Sequence, residues 1–482
     1  MTLAELRDAV DLLSRLARDH GLSDTDAARL VELTSYLNEH ILDQETTAAI
    51  PTDLPNNTNS LTQDYIPEPN ATPERLRRFT NSITNNGLTP FVCIQGGGAK
   101  GAWQGGALSA IVRHHKKARV SPVAAIGSSA GALNAWLLSD QITDPERNAL
   151  QSFWMHFPRH AWTYAAGLLL CSLPTLVRNI IAYIALGWLG RRRFPAIFSF
   201  HAYRHIIKHA IGKPTERKLR TYLVAADVDG AYEERPGSPQ ASVTFEVNEA
   251  SAQATFTHSG INVDVATALA ASCCLPLIAP YVKERQSYMD GGIHSNLPLD
   301  VVFDHGALGG NCLLFLLNTP IHKLTPGQNY IDYRTVLLLR EILDVQQKAE
   351  RCRLNRCQGA LSPAANLPVF IIEPKETLAS NLVSGFFSQK IALRDFDAGV
   401  SAGREFVAAL EAFAMGQREA LDRFLLQDKK IPPLPAKPPR APFWMRWVNL
   451  NWAKGTKGPV TRRVATVSAL SRQPSSSPWG TR

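Results

Sequence analysis

Ser129 lies at the centre of Gly127-Ser128-Ser129-Ala130-Gly131. The apolar run Val123-Ala124-Ala125-Ile126 precedes it and the helix-like Ala132-Leu133-Asn134-Ala135-Trp136-Leu137-Leu138 follows it. A G-x-S-x-G on a strand-to-helix turn is the setting of a nucleophile elbow. Such a turn is too tight for a Cβ at Gly127 and Gly131. The serine hydroxyl projects from the backbone at a helix start, where negative charge is favoured. The chemistry this suits is attack on an acyl carbon.

Attack of that kind needs an anion site and a base. Upstream, the strand candidate Phe91-Val92-Cys93-Ile94-Gln95 runs into Gly96-Gly97-Gly98-Ala99-Lys100-Gly101, and a helical pattern follows over 103–117. Successive glycines let backbone N–H groups converge on one point, an anion-binding nest for a phosphate or an oxyanion. Gly96, Gly98 and Gly101 satisfy G-x-G-x-x-G, but no Asp or Glu stands between Glu74 and Asp140 to hold a ribose. Lys100 is followed by Gly101 rather than Ser or Thr, so the P-loop pattern fails as well. An oxyanion hole at Gly97, Gly98, Ala99, Lys100 and Gly101, one βα unit before the serine, accounts best for the glycines. Downstream, Tyr288-Met289-Asp290-Gly291-Gly292-Ile293-His294-Ser295-Asn296-Leu297-Pro298 offers Asp290. An Asp before two glycines suits a turn and also supplies a general base.

In this order the three blocks resemble the patatin-like phospholipase family. Ala270-Ala271-Ser272-Cys273-Cys274-Leu275-Pro276 is similar to the small-residue helix end before the family's catalytic Asp, and Leu367-Pro368-Val369-Phe370-Ile371-Ile372-Glu373-Pro374 to a late strand of bacterial members. The resemblance spans Thr89 to Phe413. It implies a three-layer patatin-like α/β fold with a largely parallel central sheet. It also implies cleavage of acyl esters of membrane lipids, of the phospholipase A or lysophospholipase type, with no metal and no other cofactor. Ser129 matches the family nucleophile and Asp290 the base of a Ser-Asp dyad. Gly97 to Gly101 match the oxyanion hole, and Gly127, Gly131, Gly291 and Gly292 match its supports. Lys100 stands where the family more often has Arg, a point charge in place of a planar fork. Two other readings stay open. One is an α/β-hydrolase with a Ser-His-Asp triad that draws on His294, His305 or His322. The other is a catalytically silent, membrane-associated scaffold.

The 482 residues are 45% hydrophobic, ordinary for a globular protein of more than one domain. The seven cysteines are scattered and mostly lie in apolar runs, which suits reduced thiols, and no second Cys or His pair joins Cys352 and Cys357 to complete a zinc set. Glu5, Arg7, Asp8, Asp11 and Arg15 interrupt any signal-peptide core, so the expected location is cytoplasmic. Residues 431–482 hold nine basic residues and no acidic one. Without those nine, the 51 Lys and Arg fall to 42, equal to the 42 Asp and Glu, so the tail carries the whole net charge of +9. That asymmetry directs the tail toward an anionic surface. Phe443-Trp444-Met445-Arg446-Trp447 suits a membrane interface, whereas nucleic acid is not expected because no binding module accompanies the charge. Oligomeric state is not legible.

Helical spacing predicts a helical N-terminal extension over 1–50, and a Pro-, Asn- and Thr-rich linker follows over 51–88. The catalytic body is expected over 89–425. Its strands are predicted at 91–95, 123–126, 221–226, 242–247, 312–317 and 368–372. Helices are predicted at 103–117, 131–139, 200–211, 263–273, 333–356 and 399–426. Within the body, 160–193 is strongly apolar, but Pro174, Arg178 and Asn179 break it before a spanning length accumulates. It is expected to be a lid, a membrane contact or core. The stretch 426–482 is a basic, Pro- and Trp-containing tail expected to be poorly ordered.

Overall fold

A computed structural model of the chain describes residues 87–439, apart from 115–118, 163, 167–171, 173–198, 212–218, 228–241, 248–252, 257–261, 275–281, 284–286, 294–295, 299–301, 303–308, 355–365 and 382. The N-terminal extension, nearly all of the linker, most of the 160–193 insertion and the tail beyond Pro439 lie outside the described residues.

The strands are β1 (Pro90–Ile94), β2 (Ala124–Ser128), β3 (Arg220–Asp227), β4 (Ser242–Val247), β5 (Gln253–Phe256), β6 (Asn262–Asp264), β7 (Val282–Lys283), β8 (Ser287–Asp290), β9 (Cys312–Leu316) and β10 (Val369–Ile372). They form one ten-stranded sheet in the order β10-β9-β1-β2-β3-β4-β5-β6, with the β7–β8 pair joined to β3. The run from β10 to β3 is parallel. Every pair beyond it is antiparallel. The parallel strands β1, β9 and β10 are short and apolar throughout, as strands covered on both faces must be.

Side chains alternate along these strands between two cores. Val92, Ile94, Leu314, Leu316, Phe370 and Ile372 enter one. Phe91, Cys93, Leu313, Phe315, Val369 and Ile371 enter the other. The first core is closed by α1 (Gly101–Arg113), α2 (Ala130–Thr143), the helix 149–162 (α3), α4 (Phe200–Ile211) and α5 (Val265–Ser272). The second is closed by α6 (Tyr330–Leu354). After the short α7 (Ser384–Phe387), α8 (Gln389–Ala414) returns to the first face. The three-layer α/β architecture thus follows from period-two burial in the strands.

The last helix starts and stops earlier than its sequence pattern predicts. Ser388 caps it by accepting from the Ile391 N–H, and Gly416 ends it in the left-handed region at φ 94°. A 3-10 segment, Arg418–Phe424, replaces the final predicted turns.

Helices α1 and α8 meet backbone to backbone. A Cβ at Gly399 would stand 1.9 Å from the Trp103 carbonyl oxygen, and one at Gly106 would stand 2.0 Å from the Phe396 carbonyl oxygen. Neither acceptor is the movable end of a side chain. Gly399→Ala is therefore expected to lower stability by about 1–3 kcal/mol through overpacking, read as a fall in the denaturant midpoint at unchanged slope.

Candidate active site

All parallel strands end on the same edge of the sheet, where ligand sites of open α/β folds form. From that edge β1 continues into the glycine loop, β2 into Ser129 and β9 into Asn318.

Ser129 is the residue between β2 and α2. Its backbone is at φ 55°, ψ −126°, a conformation that non-glycine residues seldom adopt. Although it occupies the N-cap position, its hydroxyl makes no capping bond. The sharpness of the turn presses Gly131 against β1, where a Cβ would stand 2.3 Å from the Ile94 carbonyl oxygen. The Ser129 N–H donates to Ser272 Oγ at 3.1 Å, and Ser272 Oγ donates to the Val224 carbonyl at 2.5 Å. Ser272, at the end of α5, thus ties the elbow to β3.

Asp290 arrives by pairing. β4 lies along one edge of β3, matching residues 221–226, and β2 takes the other edge at residues 220–224. Where β2 stops, β8 takes over that second edge, with Asp290 opposite Ala225. The last residue of β8 therefore sits just past the last residue of β2. Gly291 and Gly292 begin a 3-10 turn there, with Gly291 packed against the Val224 carbonyl and Ser128 Oγ. The Asp290 N–H donates to the Cys274 carbonyl at 2.9 Å, and Asp290 Oδ1 accepts from the Gly292 N–H at 2.7 Å.

Asp290 is 2% exposed. Burial raises its pKa from an ordinary 3.8 to about 7, against the lowering effects of the Ser129 hydroxyl and the Gly292 N–H. Its Oδ2 has no partner of ordinary hydrogen-bond geometry among the described residues. The serine is thus close enough to act on the carboxylate without forming an aligned bond, which is common at catalytic pairs before substrate arrives. Around them, burial first, with the Asp290 charge contributing, pushes up the thiols of Cys273 and Cys274 and the phenol of Tyr203.

The glycine loop is held by groups that the sequence reading left without a role. Asn318 Nδ2 donates to the Gly96 carbonyl at 2.5 Å, its N–H donates to Gln95 Oε1 at 2.9 Å, and the Gly96 N–H donates to the Asn296 carbonyl at 2.9 Å. Gly98–Lys100 form one 3-10 turn that leads into α1 at Gly101. Among the described residues, the N–H groups of Gly97, Gly98 and Ala99 have no acceptor. Unfilled N–H groups beside a nucleophile are what a developing oxyanion requires. Trp154 of α3 supports the start of α1: its Nε1 donates to Asn134 Oδ1 at 2.8 Å, and Asn134 Nδ2 donates to the Gly101 carbonyl at 2.9 Å. Lys100 is partly buried. Desolvation lowers its pKa, opposed by the charges of Asp332 and Asp395.

Of the histidines weighed for a triad, His322 is exposed on the turn after β9, and His294 and His305 lie outside the described residues. Among the described residues no group of His, Cys, Asp and Glu side chains converges as metal ligands. No helix among them is long and apolar enough to cross a membrane.

Residues 92–303 match the model of the patatin-like phospholipase family, and a domain of that kind implies a lipid acyl hydrolase. VipD from Legionella pneumophila aligns over 67% of this chain and 67% of its own, at 11% identity and a TM-score of 0.26. No curated protein sequence matches the chain.

The raised carboxyl has a consequence for stability. Folded Asp290 keeps its proton up to about pH 7, whereas the unfolded chain releases it near 3.8. Between those values the folded state binds more protons, so stability falls as pH rises and is flat above about 7. Asp290→Asn removes that loss. It is expected to raise stability above pH 7 by up to roughly 4 kcal/mol, with the gain vanishing toward pH 4, as read by urea titrations across pH.

Proposed function

We propose that the chain hydrolyses acyl esters of membrane phospholipids, as a phospholipase A or lysophospholipase, with Ser129 as nucleophile and Asp290 as its general base. One observation carries the reading: the Asp290 carboxylate is buried, has Oδ2 unpartnered among the described residues, and is influenced by the hydroxyl of the strained Ser129.

Asp290 takes the hydroxyl proton as Ser129 Oγ bonds to the ester carbon, and the carbonyl oxygen becomes an oxyanion. The N–H groups of Gly97, Gly98 and Ala99 receive that charge. One such donor is typically worth about 3 kcal/mol of barrier. Protonated Asp290 then hands its proton to the departing alkoxide as the ester C–O bond breaks, which leaves an acyl-serine. Water attacks that ester, Asp290 accepts its proton, and the fatty acid leaves as the proton returns to Ser129 Oγ. The burial that raises the Asp290 pKa strengthens it as a base near neutral pH.

Ser129→Ala is expected to abolish fatty-acid release from phosphatidylcholine and lysophosphatidylcholine, and to abolish labelling by a fluorophosphonate. Asp290→Asn should lower kcat by about 10²–10⁴-fold. The wild-type rate should rise with pH along a limb centred near 7. Near wild-type hydrolysis by Asp290→Asn overturns the pairing. Loss of hydrolysis on replacing His294, His305 or His322 would favour a triad instead.

A further inference from the structure

Two helices beside the catalytic cluster carry five of the chain's 13 histidines. His156 and His160 stand one turn apart on α3, and His201, His205 and His209 follow at four-residue intervals along α4. All five are exposed, as are the neighbouring Arg159 and Lys208. Neither helix contains an Asp or Glu.

The two rows meet at Tyr164. Its ring centroid is 6.2 Å from that of His160 and 6.1 Å from that of His209, and its hydroxyl is 3.4 Å from His209 Nδ1. His156, His160 and His209 border a cleft of about 300 Å³ that also holds Asp140 and Arg147. Those two are paired with each other at 3.3 Å. The other nearby acids are Asp264, which pairs with Arg204 of α4, and Asp144 and Glu146, which lie on the turn before α3. The inner side of α4 packs on α5, a helix with no ionisable side chain.

We infer that this face of α3 and α4 is a docking surface for anionic lipid bilayers that strengthens on acidification. The choice of a bilayer as occupant rests on the lipid-hydrolase reading above. At neutral pH the outer cations of the face are Arg159 and Lys208. An imidazole ordinarily gains a proton below about pH 6.5, so acid adds up to five further positive charges to a surface where Asp140 and Asp264, two of the four nearest carboxylates, are already paired. Anionic headgroups attract such charge within a Debye length. On its inner side α4 reaches the catalytic pair: the Tyr203 hydroxyl donates to the Cys273 carbonyl at 2.7 Å, next to the Cys274 carbonyl that receives the Asp290 N–H. A bilayer on the outer side therefore lies one helix away from the proposed base.

The test is flotation of the full-length protein with vesicles of phosphatidylcholine containing phosphatidylglycerol, against vesicles of phosphatidylcholine alone. Between neutral pH and about pH 5.5, partition onto the anionic vesicles should rise by about tenfold or more, with little change on the neutral ones. The quadruple variant His156→Gln, His160→Gln, His205→Gln, His209→Gln should lose most of the rise. The quadruple His→Arg variant should bind at neutral pH as the wild type does in acid, which excludes misfolding as the explanation. A pH-independent wild type, or an acid response retained in full by the Gln variant, overturns the proposal. Ser129→Ala floated in parallel separates the two readings: it should keep the acid response while fatty-acid release is lost.

Discussion

One edge of β3 is shared by two strands, and the site depends on that sharing. β2 occupies the edge until Ser128 and must leave it through a left-handed residue, because β8 pairs from Ala225 onward. Residues from distant parts of the chain are thereby brought together by backbone hydrogen bonds rather than by a flexible loop. Ser272 fastens the turn to the same strand from a third direction. Catalytic geometry in such an arrangement is as stiff as the sheet itself.

Burial then sorts the ionisable groups gathered there. The thiols of Cys273 and Cys274 and the phenol of Tyr203 are driven toward their neutral forms. Asp290 alone among these four has a pKa near neutrality. Its Oδ1 is satisfied by Gly292, so its remaining oxygen is the one available for proton transfer. The hydrophobic setting thus holds the thiols and the phenol neutral and raises the basicity of Asp290 at the same time.

The catalytic blocks were legible because their chemistry is local. A turn that needs Gly131, a loop of successive glycines and an Asp before Gly-Gly each leave a contiguous mark. Long strands and helices were legible for the same reason, and β4 and α4 match their sequence patterns residue for residue. What escaped is non-local. Strands β5 to β8 are short and gain their pairing from neighbours, so their own residues carry little signal. Asn318, Asn296 and Ser272 are ordinary polar residues whose roles exist only once strand ends and helix ends converge. Asn318 had one available cue, its place directly after an apolar strand on the carboxyl edge of a parallel sheet. The early start of α8 was hidden because its first turns carry exposed Lys390, Leu393 and Arg394, which dilute the apolar stripe.

The contact of Gly106 with Gly399 joins the helix that follows the glycine loop to one that emerges from the ribosome almost 300 residues later. Until Gln389–Ala414 has been synthesised, α1 lacks the neighbour that packs against its glycines. A nascent chain halted before that helix would carry Ser129 and Asp290 while the helix that follows the glycine loop still lacked the neighbour against which its glycines close.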